Sequence, residues 1–331
     1  MKQMKTFKAF RLIAGNKEPV RTLAELTVDD LSPGNVVIQI AYSSINYKDA
    51  LASKGLNAII RTWPRITGID FVGTVLDSAD ARFKAGDEVV VHGFGLGVDH
   101  DGGHSQVARV NADWVMPLPK GLSLFEAGVI GAAGFTAMYS LHLMELNGLE
   151  PSQGSILVNG ATGGVASVAI DILSRRCYHV TAMTGKAQEA DYLKKLGAAE
   201  VIGRIEPQAN PKPLEKAQWA GAIDSVGGAT LAWLTRTVKP EGMIAAFGNA
   251  GGLALETTVL PFILRGVRLL GVNANPLMPL RRKLWEQIAN EYRPAHLSDI
   301  ARVIAMDELP AYLDLTLAGQ IRGRTVVDMS R

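Results

Sequence analysis

The chain has 331 residues, enough for two domains that each bury their own hydrophobic core. Hydrophobic residues make up 47% and charged residues 20%, a composition typical of globular rather than disordered proteins. The net charge of +2 gives no reason to expect nucleic acid or an anionic membrane as a partner, and we see no apolar run long enough for a membrane span. The single cysteine, Cys177, excludes an intramolecular disulfide. We therefore expect a cytoplasmic protein without a signal peptide.

The first 120 residues or so are predicted to be mostly β-structure, because short apolar runs alternate there with glycine and proline. The predicted strands are residues 7–12, 36–41, 69–76, 88–92 and 104–110. Residues 93–103 form a glycine-rich loop between the last two strands. This irregular spacing is typical of a small β-barrel rather than a regular sandwich.

Residues 155–167, SILVNGATGGVAS, are the centre of the second half of the chain. A short apolar run predicts a buried strand, three glycines predict a turn, and the apolar spacing that follows predicts a helix. Strand, glycine turn and helix open a dinucleotide-binding unit, in which a pyrophosphate contacts backbone N–H groups at the helix N-terminus. The pattern alone is weak, because ordinary turns also need glycine.

The segments that follow support this interpretation, since apolar strands alternate with helices. The predicted strands are residues 155–159, 179–183, 200–202, 221–226, 242–247 and 267–272. The predicted helices are residues 125–147, 165–173, 188–196 and 280–292. This alternation predicts an α/β domain with a doubly wound parallel sheet. A tail with a helix at 309–318 and a strand at 325–329 cannot be assigned to either domain by pattern.

The residues after the second of these strands indicate which nicotinamide cofactor binds. An NAD enzyme places Asp or Glu there to accept a hydrogen bond from the ribose 2′-OH. This chain has Thr184, Gly185 and Lys186 instead, and the first acid is Glu189. Lysine attracts a 2′-phosphate, so we expect NADPH. The alternative is an ordinary solvated lysine at a helix start.

Several segments resemble the quinone oxidoreductase branch of the medium-chain dehydrogenase/reductases. They include SINYKDA at 44–50, GIDFVGTV at 68–75, GAAGFTA at 131–137 and IRGRTV at 321–326. The segments NYKDAL and PFILRGVRLLGV are especially similar to the acrylyl-CoA reductase subgroup, which reduces acryloyl-CoA with NADPH. The resemblance spans nearly the whole chain. It implies a GroES-like catalytic domain (1–124 and 298–331), a Rossmann NADPH-binding domain (125–297) and usually a homodimer.

The resemblance also implies which residues serve the site. Tyr47 is expected at the nicotinamide, either as a proton donor or to orient the cofactor, with a core tyrosine as the alternative. Arg204 resembles a second phosphate contact, and Arg324 resembles a cofactor-side residue. The remaining expected cofactor contacts are Thr162, Gly163, Gly164 and Val165 at the glycine turn, and Asn249, Ile263 and Ala274 near the nicotinamide and ribose.

Related alcohol dehydrogenases bind zinc through Cys and His. This chain has Asn46 and Asp70 near the corresponding positions, and its only cysteine lies elsewhere. His92, His100 and His104 are close in sequence, but their spacing fits no helical or finger pattern. We therefore predict no metal.

Two residues depart from the acrylyl-CoA reductase subgroup. Asp101 stands where an aromatic residue is usual in the glycine-rich loop, and Ala166 stands where the glycine turn usually ends in glycine. The resemblance places the loop at the substrate, so Asp101 is expected to bear on substrate identity.

Three functions remain open. The first is NADPH-dependent reduction of an activated C=C bond, with acryloyl-CoA as the small-molecule substrate. The second is quinone reduction on the same scaffold, and the third is an NADPH-binding protein with little turnover, related to ζ-crystallin. Basic residues that could receive the phosphates of a CoA thioester are Lys54, Arg61, Arg65, Arg281, Arg282 and Lys283.

Overall fold

The computed structural model of the chain describes residues 6–206 and 210–331. In chain order, its strands are β1 (Phe7–Ile13), β2 (Val20–Leu26), β3 (Val36–Ser44), β4 (Arg65–Ile66), β5 (Asp70–Ser78), β6 (Glu88–His92), β7 (Val107–Val110), β8 (Met116–Pro117), β9 (Ile156–Val158), β10 (Val180–Met183), β11 (Glu200–Ile202), β12 (Trp219–Asp224), β13 (Val238–Ala246), β14 (Arg268–Gly271), β15 (Ala301–Ile304) and β16 (Arg324–Asp328). Its α-helices are α1 (Tyr47–Ser53), α2 (Leu124–Leu146), α3 (Gly164–Arg175), α4 (Ala190–Lys195), α5 (Gly228–Thr237), α6 (Leu260–Arg265), α7 (Met278–Ala289), α8 (Leu297–Ile300) and α9 (Leu309–Leu317). Each strand predicted from the sequence corresponds to one of these strands.

The first compact unit contains the residues up to Ala133, together with Asn275–Ala289 and Leu297–Arg331. Its larger sheet has the order β15-β16-β3-β5-β6-β8, with β7 also paired to β3, and a smaller sheet has the order β2-β1-β4. The inward side chains of β3 alternate along the strand and pack into the unit's hydrophobic core. The tail contributes β15 and β16, so it belongs to this unit, a point that the pattern alone left open.

The second unit contains Gly134–Ala274 and Asn290–His296. Its six strands have the order β11-β10-β9-β12-β13-β14, and every pair is parallel. The strands β9, β10 and β12 are buried along their whole length, which is why they read as short apolar runs in the sequence. The strand order reverses between β9 and β12, the place where doubly wound sheets bind ligands at their carboxyl edge. The domain boundaries expected from the sequence stay predictions; the units differ from them chiefly at Asn275–Ala289.

Four strands, four helices and two details of α2 were not predicted. The strands β2 and β15 were missed because their partly exposed residues give no clear alternation, and β4 and β8 were missed because each has only two residues. The helices that were not predicted are α1, α5, α6 and α8. The helix predicted over 125–147 is present as α2 but is interrupted at Gly131, which has φ 45° and ψ −155°. In addition, an 18-residue window of α2 has a mean hydropathy of 1.3, so it does have the length and composition of a membrane span. That window is 78% buried within the protein, as expected of a core helix.

Candidate functional site

The glycine turn lies at the carboxyl end of β9 in the second unit. Gly160 has φ 56°, and a Cβ there would lie 2.3 Å from the Ser225 hydroxyl, so glycine is needed for both backbone and space. Gly163 is the exposed N-cap of α3, a helix of 12 residues. The first N–H groups of α3 have no partners within the helix, which makes this terminus suited to a phosphate.

Ala166, the irregular residue of this turn, is fully buried in the first turn of α3. The third glycine of such turns serves close packing of helix against strand. A buried alanine methyl at this position shows that the packing accommodates one extra carbon. The irregularity therefore lies behind the turn, on the buried side of the helix.

Two buried polar side chains hold the glycine turn in place through hydrogen bonds. Asn159 follows β9 and Asp224 ends β12, and the Asn159 amide donates a hydrogen bond to the Asp224 carboxylate. The Ser225 N–H donates to Asn159 Oδ1 at 2.7 Å, and the Gly227 N–H donates to Asp224 Oδ2 at 3.0 Å. Burial raises the pKa of Asp224, while the bonds from Asn159 and Gly227 oppose the rise. This pair joins the two strands at the reversal of strand order, and its residues were not among those predicted from the sequence.

Two basic side chains lie together where the sequence predicted a phosphate contact. Lys186 follows β10, Arg204 follows β11, and these strands are neighbours in the sheet. A Cβ on Gly185 would lie 2.6 Å from Arg204 Nε, so the guanidinium lies against this glycine. The Lys186 N–H donates to Thr184 Oγ1 at 3.1 Å. Burial chiefly lowers the pKa of Lys186 and the Arg204 charge lowers it further, whereas Glu189 acts in the opposite direction.

The other expected contacts in this unit fall into two groups. Asn249 follows β13, and a Cβ on Gly227 would lie 3.2 Å from the Asn249 Cα, so Asn249 lies beside the turn after β12. Ala274 follows β14 and is half-buried. Both therefore follow carboxyl ends of strands. Ile263 instead lies on α6, before β14, with 68% of its surface exposed.

In the first unit, Tyr47 is the first residue of the helix α1. Asn46 is the N-cap of α1, and its N–H donates to Asp49 Oδ2 at 2.9 Å in a capping box. The other Asp49 oxygen accepts from the Gly68 N–H at 3.0 Å. Burial and the nearby Asp70 raise the pKa of Asp49 to about 7. The result is a rigidly held helix start from which Tyr47 is 39% exposed.

Asp70 and Arg324 form a buried ion pair behind this helix start. Asp70 Oδ2 lies 3.5 Å from Arg324 Nη2, and each residue is 2% exposed. Arg324 also donates to Val129 O at 3.0 Å and Asn46 Oδ1 at 3.1 Å. The guanidinium is thus buried and engaged by residues of its own unit, and its contact with a cofactor, expected from the resemblance, stays a prediction.

Asp101 makes internal hydrogen bonds within the first unit, and its expected bearing on substrate identity stays a prediction. Its side chain is nearly buried and accepts from Ser32 N at 2.9 Å, Ser32 Oγ at 2.8 Å and Ile66 N at 3.0 Å. Arg65 Nη1 lies 3.3 Å from it. A carboxylate with these donors fixes the glycine-rich loop to β4 and to the segment before β3.

Burial and ion pairing reduce the set of residues that could bind the phosphates of CoA. Arg65 is 6% exposed and paired with Asp101, and Arg281 is fully buried, so neither presents its charge to a ligand. Lys54 is paired with Glu18 at 3.4 Å and with Asp314 at 3.2 Å. Three members of the set remain exposed: Arg61, Arg282 and Lys283.

The three histidines near the glycine-rich loop have separate partners. His92 accepts from Trp285 Nε1 at 2.9 Å, His100 bonds the Pro33 carbonyl at 2.9 Å, and His104 bonds Thr67 Oγ1 at 2.7 Å. Burial lowers the pKa of His104 to about 4, so its ring is neutral at physiological pH. Across residues 6–206 and 210–331, no group of three or more His, Cys, Asp or Glu side chains is arranged to hold a metal ion.

The chain combines a parallel sheet that has a glycine turn at its strand reversal with a separate unit built mostly from antiparallel strands. This combination defines a two-domain dinucleotide-dependent dehydrogenase/reductase. Residues 32–120 match the alcohol dehydrogenase GroES-like domain, and residues 164–290 match the zinc-binding dehydrogenase family. The chain belongs to the medium-chain dehydrogenase/reductase family, in the branch that includes quinone oxidoreductase-like proteins and acrylyl-CoA reductases. The predicted family, fold class and enzyme class are confirmed.

Individual relatives are similar over almost the full length. The putative quinone oxidoreductase YhfP of Bacillus subtilis is 47% identical over 92% of this chain and 93% of that protein. The acrylyl-CoA reductase AcuI of Ruegeria pomeroyi is 44% identical over 92% of this chain and 93% of its own.

Solved structures agree closely with the fold and differ in the cofactor that they contain. The structure of YhdH from Escherichia coli with bound NADPH has a TM-score of 0.94 and 42% identity, covering 97% of this chain and 99% of that one. The structure of Bacillus subtilis YhfP with NAD bound also has a TM-score of 0.94, with 45% identity, and covers 98% of this chain and 99% of that one.

Proposed function

We propose that this protein reduces an activated carbon–carbon double bond with NADPH, and that acryloyl-CoA is the substrate, giving propionyl-CoA. The observation that carries the cofactor assignment is the pair of cations, Lys186 and Arg204, at the same sheet edge as the glycine turn. The substrate assignment is supported by the similarity to AcuI. Because one similar structure contains NADPH and another contains NAD, the two cations are the feature that favours NADPH here.

The residues of the second unit fit a dinucleotide. The N–H groups that begin α3, at Gly164 and Val165, would hold the pyrophosphate, and Thr162 and Gly163 would border it. Lys186 and Arg204 would hold the 2′-phosphate. Asn249 and Ala274, which follow strand ends, and the exposed Ile263 would line the nicotinamide and ribose.

When bound, NADPH supplies a hydride for the substrate. Reduction of an enoyl thioester at its β-carbon generates an enolate, which needs a donor at its oxygen or a proton at its α-carbon. We assign this task, or the orientation of the nicotinamide amide, to the hydroxyl of Tyr47. Its exposed position at the fixed start of α1 supports this role.

No metal is required by this scheme. Asp70 and Asn46, the residues near the zinc-ligand positions of related enzymes, are hydrogen-bonded to each other at 3.0 Å. The charge of Asp70 is already balanced by Arg324. A divalent cation would have to displace that guanidinium from a buried site.

Quinone reduction is the second candidate function, and the similarity to YhfP favours it. The discriminating experiment compares NADPH consumption with acryloyl-CoA, with a simple quinone and with no substrate. We expect rapid consumption with acryloyl-CoA and slow consumption with the quinone. Fast quinone turnover without acryloyl-CoA turnover would instead support the second function, and no turnover with either would support a binding protein.

We also propose that the protein is a cytoplasmic homodimer formed through the edge of the parallel sheet. Within the second unit β14 pairs only with β13 among the described strands, so its other edge is open to a second copy. Exposed apolar side chains lie on this strand and on the helix that precedes it, with Leu269 on β14 and Leu264 on α6 among them. The cytoplasmic location rests on the scarcity of cysteine.

Leu269→Lys is expected to convert the dimer to a monomer, because a lysine on an edge strand opposes pairing with another strand. Light scattering during gel filtration would measure the mass. Leu146→Lys, at another exposed leucine of the same unit, is the control and should leave the dimer intact. A wild-type monomer, or a Leu269→Lys dimer, would contradict the proposed interface.

A further inference from the structure

The buried ion pair between Asp70 and Arg324 is surrounded by hydrogen-bond partners within the first unit. The five N–H groups of the Arg324 guanidinium face five acceptors. These are Val129 O, Ile45 O, Asn46 Oδ1, Ser44 Oγ and Asp70 Oδ2. A buried arginine held in this way has one orientation, because its planar fork cannot rotate without losing several bonds at once.

The Asp70 carboxylate connects three separate segments. It accepts from Ser44 N at 3.1 Å and Ser44 Oγ at 2.6 Å at the end of β3, and from Asn46 Nδ2 at 3.0 Å at the start of α1. It also accepts from the Ala132 N–H at 2.8 Å, just after the interruption of α2. That N–H is available because Gly131 breaks the helix there.

Gly131 leaves room for the ion pair because it has no side chain. A Cβ on Gly131 would lie 2.7 Å from Asp70 Oδ2 and 2.8 Å from Arg324 Nη2, and its φ of 45° is unfavourable for other residues. The break in α2 therefore provides both the space for the two charged groups and one of the donors that hold them.

Asn46 is held by both members of the pair. Its Nδ2 donates to Asp70 and its Oδ1 accepts from Arg324 at 3.1 Å, so both ends of the amide are fixed. Asn46 is the N-cap of α1, and Tyr47 is the first residue of that helix. The ion pair is thus linked to Tyr47 through a single residue, Asn46.

We propose that Asp70 and Arg324 are positioning residues, whose buried ion pair fixes Asn46 and thereby the placement of Tyr47 for the reaction. This inference rests on the proposed function, because it gives Tyr47 a task. Stability alone does not explain the pair, since buried ion pairs are often no more stabilising than apolar residues of similar volume. Directed bonds to Asn46, in contrast, are something that an apolar pair cannot supply.

The test replaces the pair by an apolar one, Asp70→Leu with Arg324→Met, and separately makes Arg324→Lys. The apolar double variant is expected to fold, while Arg324→Lys keeps the charge but loses the fork. Arg322→Lys, at an exposed arginine in the same segment, is the matched control. We expect kcat to fall by about 10- to 100-fold in both test variants, with KM for NADPH changed by less than about threefold.

Two further readouts separate positioning from a general loss of structure. Hydrogen exchange should become faster in the peptide that contains α1 and stay unchanged in the peptide that contains α3. Adding Tyr47→Phe to Arg324→Lys should lower kcat no further than Arg324→Lys alone, because both changes act on the same step.

The outcomes distinguish the two proposals. Full kcat and unchanged exchange of α1 in the folded apolar variant would overturn the positioning role. Faster exchange throughout the chain would also overturn it. Faster exchange confined to α1, together with full activity of Tyr47→Phe, would support the role of the ion pair in fixing α1 and overturn the proposed task of Tyr47.

Discussion

Lys186→Glu is expected to raise KM for NADPH by about 10- to 100-fold, because a charge-assisted hydrogen bond contributes roughly 1.5–3 kcal/mol and about 1.4 kcal/mol corresponds to a tenfold change. The carboxylate would also repel the 2′-phosphate. KM for NADH should change by less than about threefold, since NADH has no phosphate at that position. Steady-state kinetics with each cofactor at saturating acceptor would measure both values.

The chain offers a matched control for Lys186→Glu on the helix that follows β10. Lys194→Glu makes the same charge change at an exposed residue of α4 and should leave both KM values near those of the wild type. Equal losses with NADPH and NADH in Lys186→Glu would mean that the lysine supports the fold rather than the phosphate. Arg204, which stays beside Gly185, is expected to retain part of the NADPH preference.

Asp70→Asn should lower the free energy of unfolding by about 3 kcal/mol, because it leaves the Arg324 cation buried without its nearest countercharge. The loss should stay at the lower end of the range for broken buried pairs, since the buried Asp49 carboxyl also acts on the Arg324 charge. Urea unfolding would measure the difference, with the unfolding free energies of both proteins compared at the same dependence on urea concentration. Asp77→Asn, at an exposed position of the same strand, should change stability by less than about 0.5 kcal/mol.

The pH dependence of stability is a second property that Asp70→Asn is expected to change. Burial and the nearby Asp70 raise the folded-state pKa of Asp49 to about 7, well above the usual range of an aspartate, so the folded state holds a proton that the unfolded state releases at lower pH. Wild-type stability should therefore fall as pH rises from about 4 to 7 on account of this group. Because Asp70 contributes to the raised pKa, the slope should be smaller in Asp70→Asn. An unchanged slope would contradict the coupling of the two carboxyl groups.

The nucleotide-binding half could be predicted because its signals are local. The buried strand β9, the glycines after it and the helix α3 follow one another directly in the chain. The phosphate contacts expected after β10 and β11 depend on strand ends that lie side by side in a parallel sheet. For the same reason, polar residues at the ends of β9 and β12 could have been recognised as a pair.

The features that escaped prediction depend on contacts between distant residues. The internal bonds of Asp101 could not be predicted because nothing nearby in the sequence indicates its partners Ser32 and Ile66. The buried contacts of Arg324 could not be predicted either, because its partners lie near the start of α1 and at Val129. The start of α1 itself was hidden because seven residues give too short an apolar pattern, although Asn46 and Asp49 have the spacing of a capping box.

The most direct test of this account follows the hydrogen that is transferred. The purified protein would be incubated with acryloyl-CoA and with NADPH that carries deuterium at the transferring carbon of its nicotinamide. Mass spectrometry of the CoA products should show propionyl-CoA with deuterium at its β-carbon, formed at the rate of NADPH oxidation. NADPH oxidation without labelled propionyl-CoA, or an absence of oxidation, would contradict the proposed reaction.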